Sequence, residues 1–175
     1  MKYKLTLLFF IFINSIAISQ NLSNLDVKYG FNKFKLESSY TLHKNNLSYK
    51  TTDNNVKYYE YIGKDIKSVF GVKIDEIWLG YYKNRLYTIS IDFGAISDSE
   101  SQNIIKELKK MFGYQELITN SEGETYKYEW AIAWETQKTY LQANRMSCSF
   151  QFKPCAVSIF VNSKKIETEI LNSKF

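Results

Sequence analysis

Residues 126–134, YKYEWAIAW, place Tyr126, Tyr128, Trp130, Ile132 and Trp134 on every second position. A period of two belongs to an extended strand, whose successive side chains point to opposite faces. One face of this segment is therefore almost wholly aromatic. Each such ring removes about 150–250 Å² of surface from water when it is buried. Left exposed, these residues would make a larger adhesive patch than a monomeric surface carries. The segment thus predicts a sheet with a packed cover over that face. A stacking platform for sugars or bases is the alternative reading of the same residues, and Trp130 and Trp134 are the rings that would serve it.

The cover is also legible. In SDSESQNIIKELKKMFG, Ser97 is followed three residues later by Glu100, the spacing of a capping box. Ile104, Ile105, Leu108, Met111 and Phe112 then fall on one helical face, and Gly113 supplies a stop. A second helix is expected from about Ser163 to Asn172, with Ile166 and Ile170 four residues apart.

Strands account for most of the rest. In IDEIWLGYYKNRLYTISIDF, Ile77, Leu79 and Tyr81 alternate before Tyr87, Ile89, Ile91 and Phe93, with Lys83 and Asn84 as the turn of a hairpin. NVKYYEYIG reads as a further strand, as do segments around Thr139 to Met146 and Ala156 to Val161. KDIKSVFG admits either a helical turn or an extended segment. The order strand, strand, strand, helix then occurs twice. The expected fold class is α+β: an antiparallel sheet of about six or seven strands with helices on one face. The order also suggests a ββ(β)α pseudo-repeat, of pattern only, because the residues show no self-identity.

The first twenty residues have the layout of a secretory signal. Lys2 and Lys4 precede an apolar run from Leu5 to Ile13, and the small residues Ser15, Ala17 and Ser19 lead to cleavage near Ser19 or Gln20. The run is short for a membrane span, a retained N-terminal anchor being the alternative reading, and these twenty residues contain no Cys to carry a lipid anchor. The expected product is one domain, 21–175, in the periplasm or the medium, with no transmembrane segment. Removing the signal lowers Lys+Arg from 23 to 21 against 18 Asp+Glu, a formal +3. So small an excess does not supply the concentrated basic face that a nucleic acid requires.

Cys148 and Cys155 flank SFQFKP, and export makes them a candidate disulfide worth about 2.5 kcal/mol by loop closure. Two free thiols and a metal site are the alternatives; zinc would need two more ligands, and the single histidine, His43, lies about a hundred positions away. On the signal ending AISQN, the bias to Lys, Asn, Ile and Tyr, and the run FGVKIDEIWLGYYKNRLYTISIDF, the chain resembles small exported α+β proteins of Bacteroidota. The resemblance implies export and fold, and carries no functional residues across.

No Gly-x-Ser-x-Gly elbow, His-Glu-x-x-His pair or phosphate loop is present. His43 reads as a partly exposed structural histidine. Glu122 and Glu124 read as loop charge, as do Asp75 and Glu76 ahead of a strand. Glu129 and Glu135 lie on one extended strand about 20 Å apart, beyond the reach of a glycosidase pair. Asn21 and Asn46 begin Asn-x-Ser tripeptides. No catalytic, cofactor-binding or metal-binding residue is assigned. What remains is a surplus of rings. Tyr58, Tyr59, Tyr61, Trp78 and Tyr82 send aromatics to both faces of the sheet, and helices on one face would cover only one of them. A half-exposed surface around Trp78, Tyr82 and Tyr58 is the expected place for a partner, a protein or an envelope component. The expected function is a non-catalytic exported binding module, with a small hydrolase or an immunity or inhibitor protein as alternatives.

Overall fold

The computed structural model describes residues 24–117, 128–146 and 156–174. Residues 1–20, read above as a secretory signal, Tyr126 and the pair Cys148 and Cys155 lie outside the described residues. A short helix α1 at 24–28 leads into a two-residue hairpin, β1 (Gly30–Phe31) and β2 (Phe34–Lys35). Two 3-10 turns, Tyr40–Leu42 and Lys44–Asn46, precede β3 (Leu47–Asp53) and β4 (Val56–Tyr61). KDIKSVFG resolves as extended: β5 (Ser68–Val69) and β6 (Val72–Lys73) form a small hairpin of their own. Next come β7 (Glu76–Tyr82), β8 (Arg85–Ala95) and α2 (Asp98–Phe112). Then β9 (Tyr128–Glu135), β10 (Thr139–Met146), β11 (Ala156–Ser163) and α3 (Lys164–Asn172) complete the order.

Seven strands form one antiparallel sheet in the order β3-β4-β7-β8-β11-β10-β9. Its hairpins turn through positive φ, at Asn54 and Asn55 between β3 and β4 and at Lys83 and Asn84 between β7 and β8 at 47° and 63°, a conformation that Asn tolerates better than most residues. The fold is α+β, as expected. Four sheet strands precede α2 and three precede α3, with the β5–β6 hairpin interposed only in the first run, and the pattern does not resolve into a repeat.

The sheet face predicted to be core is core. Trp130, Ile132 and Trp134 are 6%, 0% and 0% exposed, and they share one cluster with Ile104, Ile105, Leu108 and Phe112 of α2. The buried indole of Trp134 finds its partner at the helix end, where its N–H donates to the Gly113 carbonyl at 2.8 Å. Gly113 is the C-cap at φ 91°, a conformation that favours glycine, so the helix stop and the ring's polar satisfaction are one feature. At the other end of α2 the Ser97–Glu100 capping box forms as read from sequence.

Two sequence expectations are corrected. Tyr87 was assigned to the face of Ile89, yet Gly80 pairs with Thr88 while the next residue, Tyr81, pairs with Leu86. This bulge leaves Leu86 and Ile89 both in the main core and turns Tyr87, beside Thr88, to the opposite face. The helices also divide between the faces. Tyr81 and Tyr82 are neighbours on β7 and point opposite ways: Tyr81 joins the cluster under α2, whereas Tyr82 and Val56 pack on Ile166 and Ile170 of α3. α3 therefore closes one end of the second face. Polar contacts hold it there. Arg85 pairs with Glu169 and Glu37, Lys165 reaches Glu37 at 3.0 Å, and Tyr29 hydrogen-bonds both Glu37 and the cap Ser163.

Candidate functional site

The rest of the second face is open, and strand register dictates what it presents. One cross-strand row runs Trp78, Ser90, Phe160, Gln142 over β7, β8, β11 and β10. The next runs Tyr58, Gly80, Thr88, Asn162, Tyr140 from β4 to β10. One row further on, Val56 and Tyr82 are already beneath α3. Together with Thr51 and Tyr87, the side chains of these two rows line a concave groove of about 490 Å³. Small-molecule sites span about 300–1,000 Å³. The lining is five rings and five short polar side chains, and none carries charge at neutral pH.

Local contacts fix these groups. Gly80 forms the floor, and the Tyr58 ring and the Thr88 methyl close over it where any side chain would intrude. The Trp78 indole N–H donates to Glu76 Oε2 at 2.7 Å, two residues back on the same face, so the ring's orientation is set and its faces are left for contact. Thr88 Oγ1–H donates to Asn162 Oδ1 at 2.6 Å, and the Tyr140 hydroxyl donates to Gln142 Oε1 at 2.7 Å. Burial, with the nearby carboxylate of Glu167, pushes the Tyr87 phenol up to about 12. Burial, with Asp53, raises Tyr58 as well. Both remain neutral donors through the physiological range.

Of the three residues expected at a partner surface, Trp78 and Tyr58 line the groove. Tyr82 does not, being 2% exposed under α3, because a helix occupies the space that the sequence reading left open. Sequence reasoning missed Ser90, Gln142, Phe160 and Asn162. A signal was present: in TISID, AVSIFVNS and TYLQANRM they are the alternate positions to the buried Ile89, Ile91, Ile159, Val161, Leu141 and Ala143.

Other candidates are accounted for structurally. His43 stacks edge-on against Phe34 at 5.2 Å between ring centres, and burial, together with Lys33, lowers its pKa. Lys33, Tyr61 and Asp65 form a hydrogen-bonded cluster that holds the Asp65 carboxyl down at about 2, and it ties the segment after β4 to the segment after β1. Glu129 and Glu135, at opposite ends of β9, pair separately with Arg145 and Lys164. A second concavity carries Lys35, Lys138, Lys164 and Lys165, of which Lys164 is paired with Glu135 and Lys165 with Glu37. Among the described residues there is no cluster of three or more His, Cys, Asp or Glu that could hold a metal ion, and no helix long and apolar enough to cross a membrane. The chain matches no protein-family model, no curated protein and no solved structure.

Proposed function

We propose that this chain is a non-catalytic binding module of the cell envelope, exported by its N-terminal segment, which takes its ligand in the groove on the open sheet face. The observation that carries this reading is the lining itself. Trp78, Phe160, Tyr58, Tyr87 and Tyr140 offer contact area at fixed geometry, while Ser90, Thr88, Gln142 and Asn162 offer directional hydrogen bonds. Hydrolysis needs a base near its working pKa and a nucleophile or activated water. The residues lining the groove include no carboxylate, imidazole, thiol or amine, and burial raises its two shifted phenols further above neutral pH.

Replacing Trp78 and Phe160 by Ala tests the proposal. Both side chains are half-buried on the open face, so the thermal midpoint should hold while capture of the ligand from an envelope extract is lost. Parallel loss of folding and capture would refute it. Export carries with it a Cys148–Cys155 disulfide, and peptide mapping of the secreted protein without reduction reads both the cleaved N-terminus and the bridge.

A further inference from the structure

We infer that the ligand of this groove is an uncharged oligosaccharide. The inference rests on the binding-module reading and extends it to the chemistry of the ligand. It starts from the two amides. A side-chain amide has an accepting oxygen and a donating nitrogen. The oxygens of Asn162 and Gln142 are engaged by the hydroxyls of Thr88 and Tyr140. Among the described residues their NH2 groups have no partner, and neither has the Ser90 hydroxyl, which stands between Trp78 and Phe160 in the same row. The free groups are therefore two amide donors and hydroxyls that can donate or accept, a set that suits a ligand rich in hydroxyl oxygen.

The rings narrow the class further. Trp78 and Phe160 are separated by one strand, which places them about 10 Å apart. That is close to the length of one disaccharide repeat in an extended glycan. A pyranose ring presents C–H groups on its faces and hydroxyls around its edge. It can lie on an aromatic face while its edge reaches the polar side chains between two such faces. Because the Trp78 N–H is already donated to Glu76, that ring contributes a stacking face and not a donor.

Competing ligands fail on the same residues. A phosphate, uronate or nucleic acid would meet no cation among the lining residues. An aliphatic chain would strand Ser90, Gln142 and Asn162 without partners. A peptide brings N–H donors as well as carbonyls, and the Asn162 and Gln142 amide oxygens, each already accepting one hydrogen bond, have only a second lone pair left for them. A peptide that binds by strand addition would need a sheet edge, whereas this groove lies on a sheet face.

The chain carries its own reporter. Of its three tryptophans, Trp130 and Trp134 are 6% and 0% exposed, while Trp78 is half-buried in the groove. Acrylamide quenching of the full exported chain can be measured with four additions: neutral polysaccharide from the producing cell's envelope, the same material after periodate cleavage of its vicinal diols, an acidic polysaccharide, and the envelope protein fraction. The expected result is that the neutral polysaccharide shields Trp78, that periodate abolishes the shielding, and that Gln142→Ala and Phe160→Ala each raise the half-saturating concentration about tenfold with unchanged thermal midpoints. Shielding by the protein fraction alone, removed by proteinase, would overturn the oligosaccharide and leave the binding module standing. Equal shielding by an acidic polysaccharide would overturn its uncharged character. Shielding by none of these would remove both.

Discussion

Gly80→Ala is the sharpest probe of how the groove is built. A Cβ at this position would stand 2.5 Å from Thr88 Cγ2, 3.0 Å from Tyr58 Cε1 and 3.1 Å from Val56 Cγ1. Carbon contacts are comfortable at about 3.5–4.0 Å, so the Thr88 contact is short by about 1 Å. Thr88 cannot simply rotate away, because it is β-branched and its hydroxyl is held by Asn162 at 2.6 Å. Overpacking of this kind costs about 1–3 kcal/mol. Relief of the glycine entropy in mid-strand returns about 0.5–1 kcal/mol. The net expectation is a loss of about 1–2 kcal/mol, or roughly 2–8 °C in thermal midpoint for a domain of this size. Thr88→Ser removes the clashing methyl and keeps the hydroxyl that orients Asn162. Alone it should cost at most about 0.8 kcal/mol, the worth of one methylene-sized group. Combined with Gly80→Ala it should restore stability, giving a coupling of about 1 kcal/mol in a double-mutant cycle. Urea unfolding with a shared denaturant slope measures all four proteins. A Gly80→Ala protein as stable as the parent, or strictly additive losses, would refute the account.

Three further outcomes follow from other contacts. Ser97→Ala breaks the capping box of α2 and should cost about 1 kcal/mol, read as a lower urea midpoint at constant slope. Ile166→Ala should cost about 2–5 kcal/mol, and near-ultraviolet circular dichroism should report Tyr82 losing its cover; an unchanged tyrosine signal would mean that α3 is not what buries it. Alkali should act through Tyr29 and Tyr87, each pushed up to about 12, Tyr29 by burial and its bond to Glu37, Tyr87 by burial and Glu167. An unfolded phenol titrates near pH 10, so the fold favours the neutral form. The stability these phenols contribute is complete below about pH 10 and is lost as pH rises toward about 12. Urea midpoints taken stepwise through that window should fall, and Tyr29→Phe should flatten part of the fall.

Elements whose signal is local were readable in the chain. Ser97, Glu100 and Gly113 mark the ends of α2 by side-chain chemistry that acts within one turn. Lys83 and Asn84 mark a hairpin because positive φ is a property of the residue and its turn. The burial of Trp130 and Trp134 was legible because a period of two assigns them one face and the α2 stripe supplies a cover. What escaped were consequences of register and reach. The bulge that turns Tyr87 outward depends on how β8 pairs with β7, and nothing in LYTIS alone announces it. Tyr82 looked available because its neighbours alternate like surface rings, and only the return of α3 over the strand end buries it. The groove was half legible: Trp78 and Tyr58 came from ring counting, whereas Phe160, Gln142 and Asn162 required knowing that β11 inserts beside β8.

That insertion, with the lengths of the two helices, explains why one face is sealed and the other left open. α2 has 15 residues and so extends about 22 Å, and it shares the cover of its face with Leu25 of α1, Phe31 and Phe34 of the β1–β2 hairpin and Val69 and Val72 of the β5–β6 hairpin. α3 has 9 residues, about 14 Å, and begins directly at Ser163, the last residue of β11, so it can cover only ground near that strand end. Seven strands spaced about 4.8 Å apart make a surface nearly 30 Å wide, and a helix of that length cannot close it. The open face therefore follows from connectivity. Its composition is adapted to staying open: along each of the two groove rows a hydroxyl or amide stands among the rings, where the sealed face carries Trp130, Ile132 and Trp134 against Leu141 and Ala143. Interleaving breaks the aromatic area into pieces too small to act as a general adhesive. It also places directional groups among the rings, as the proposed binding of a polar ligand requires.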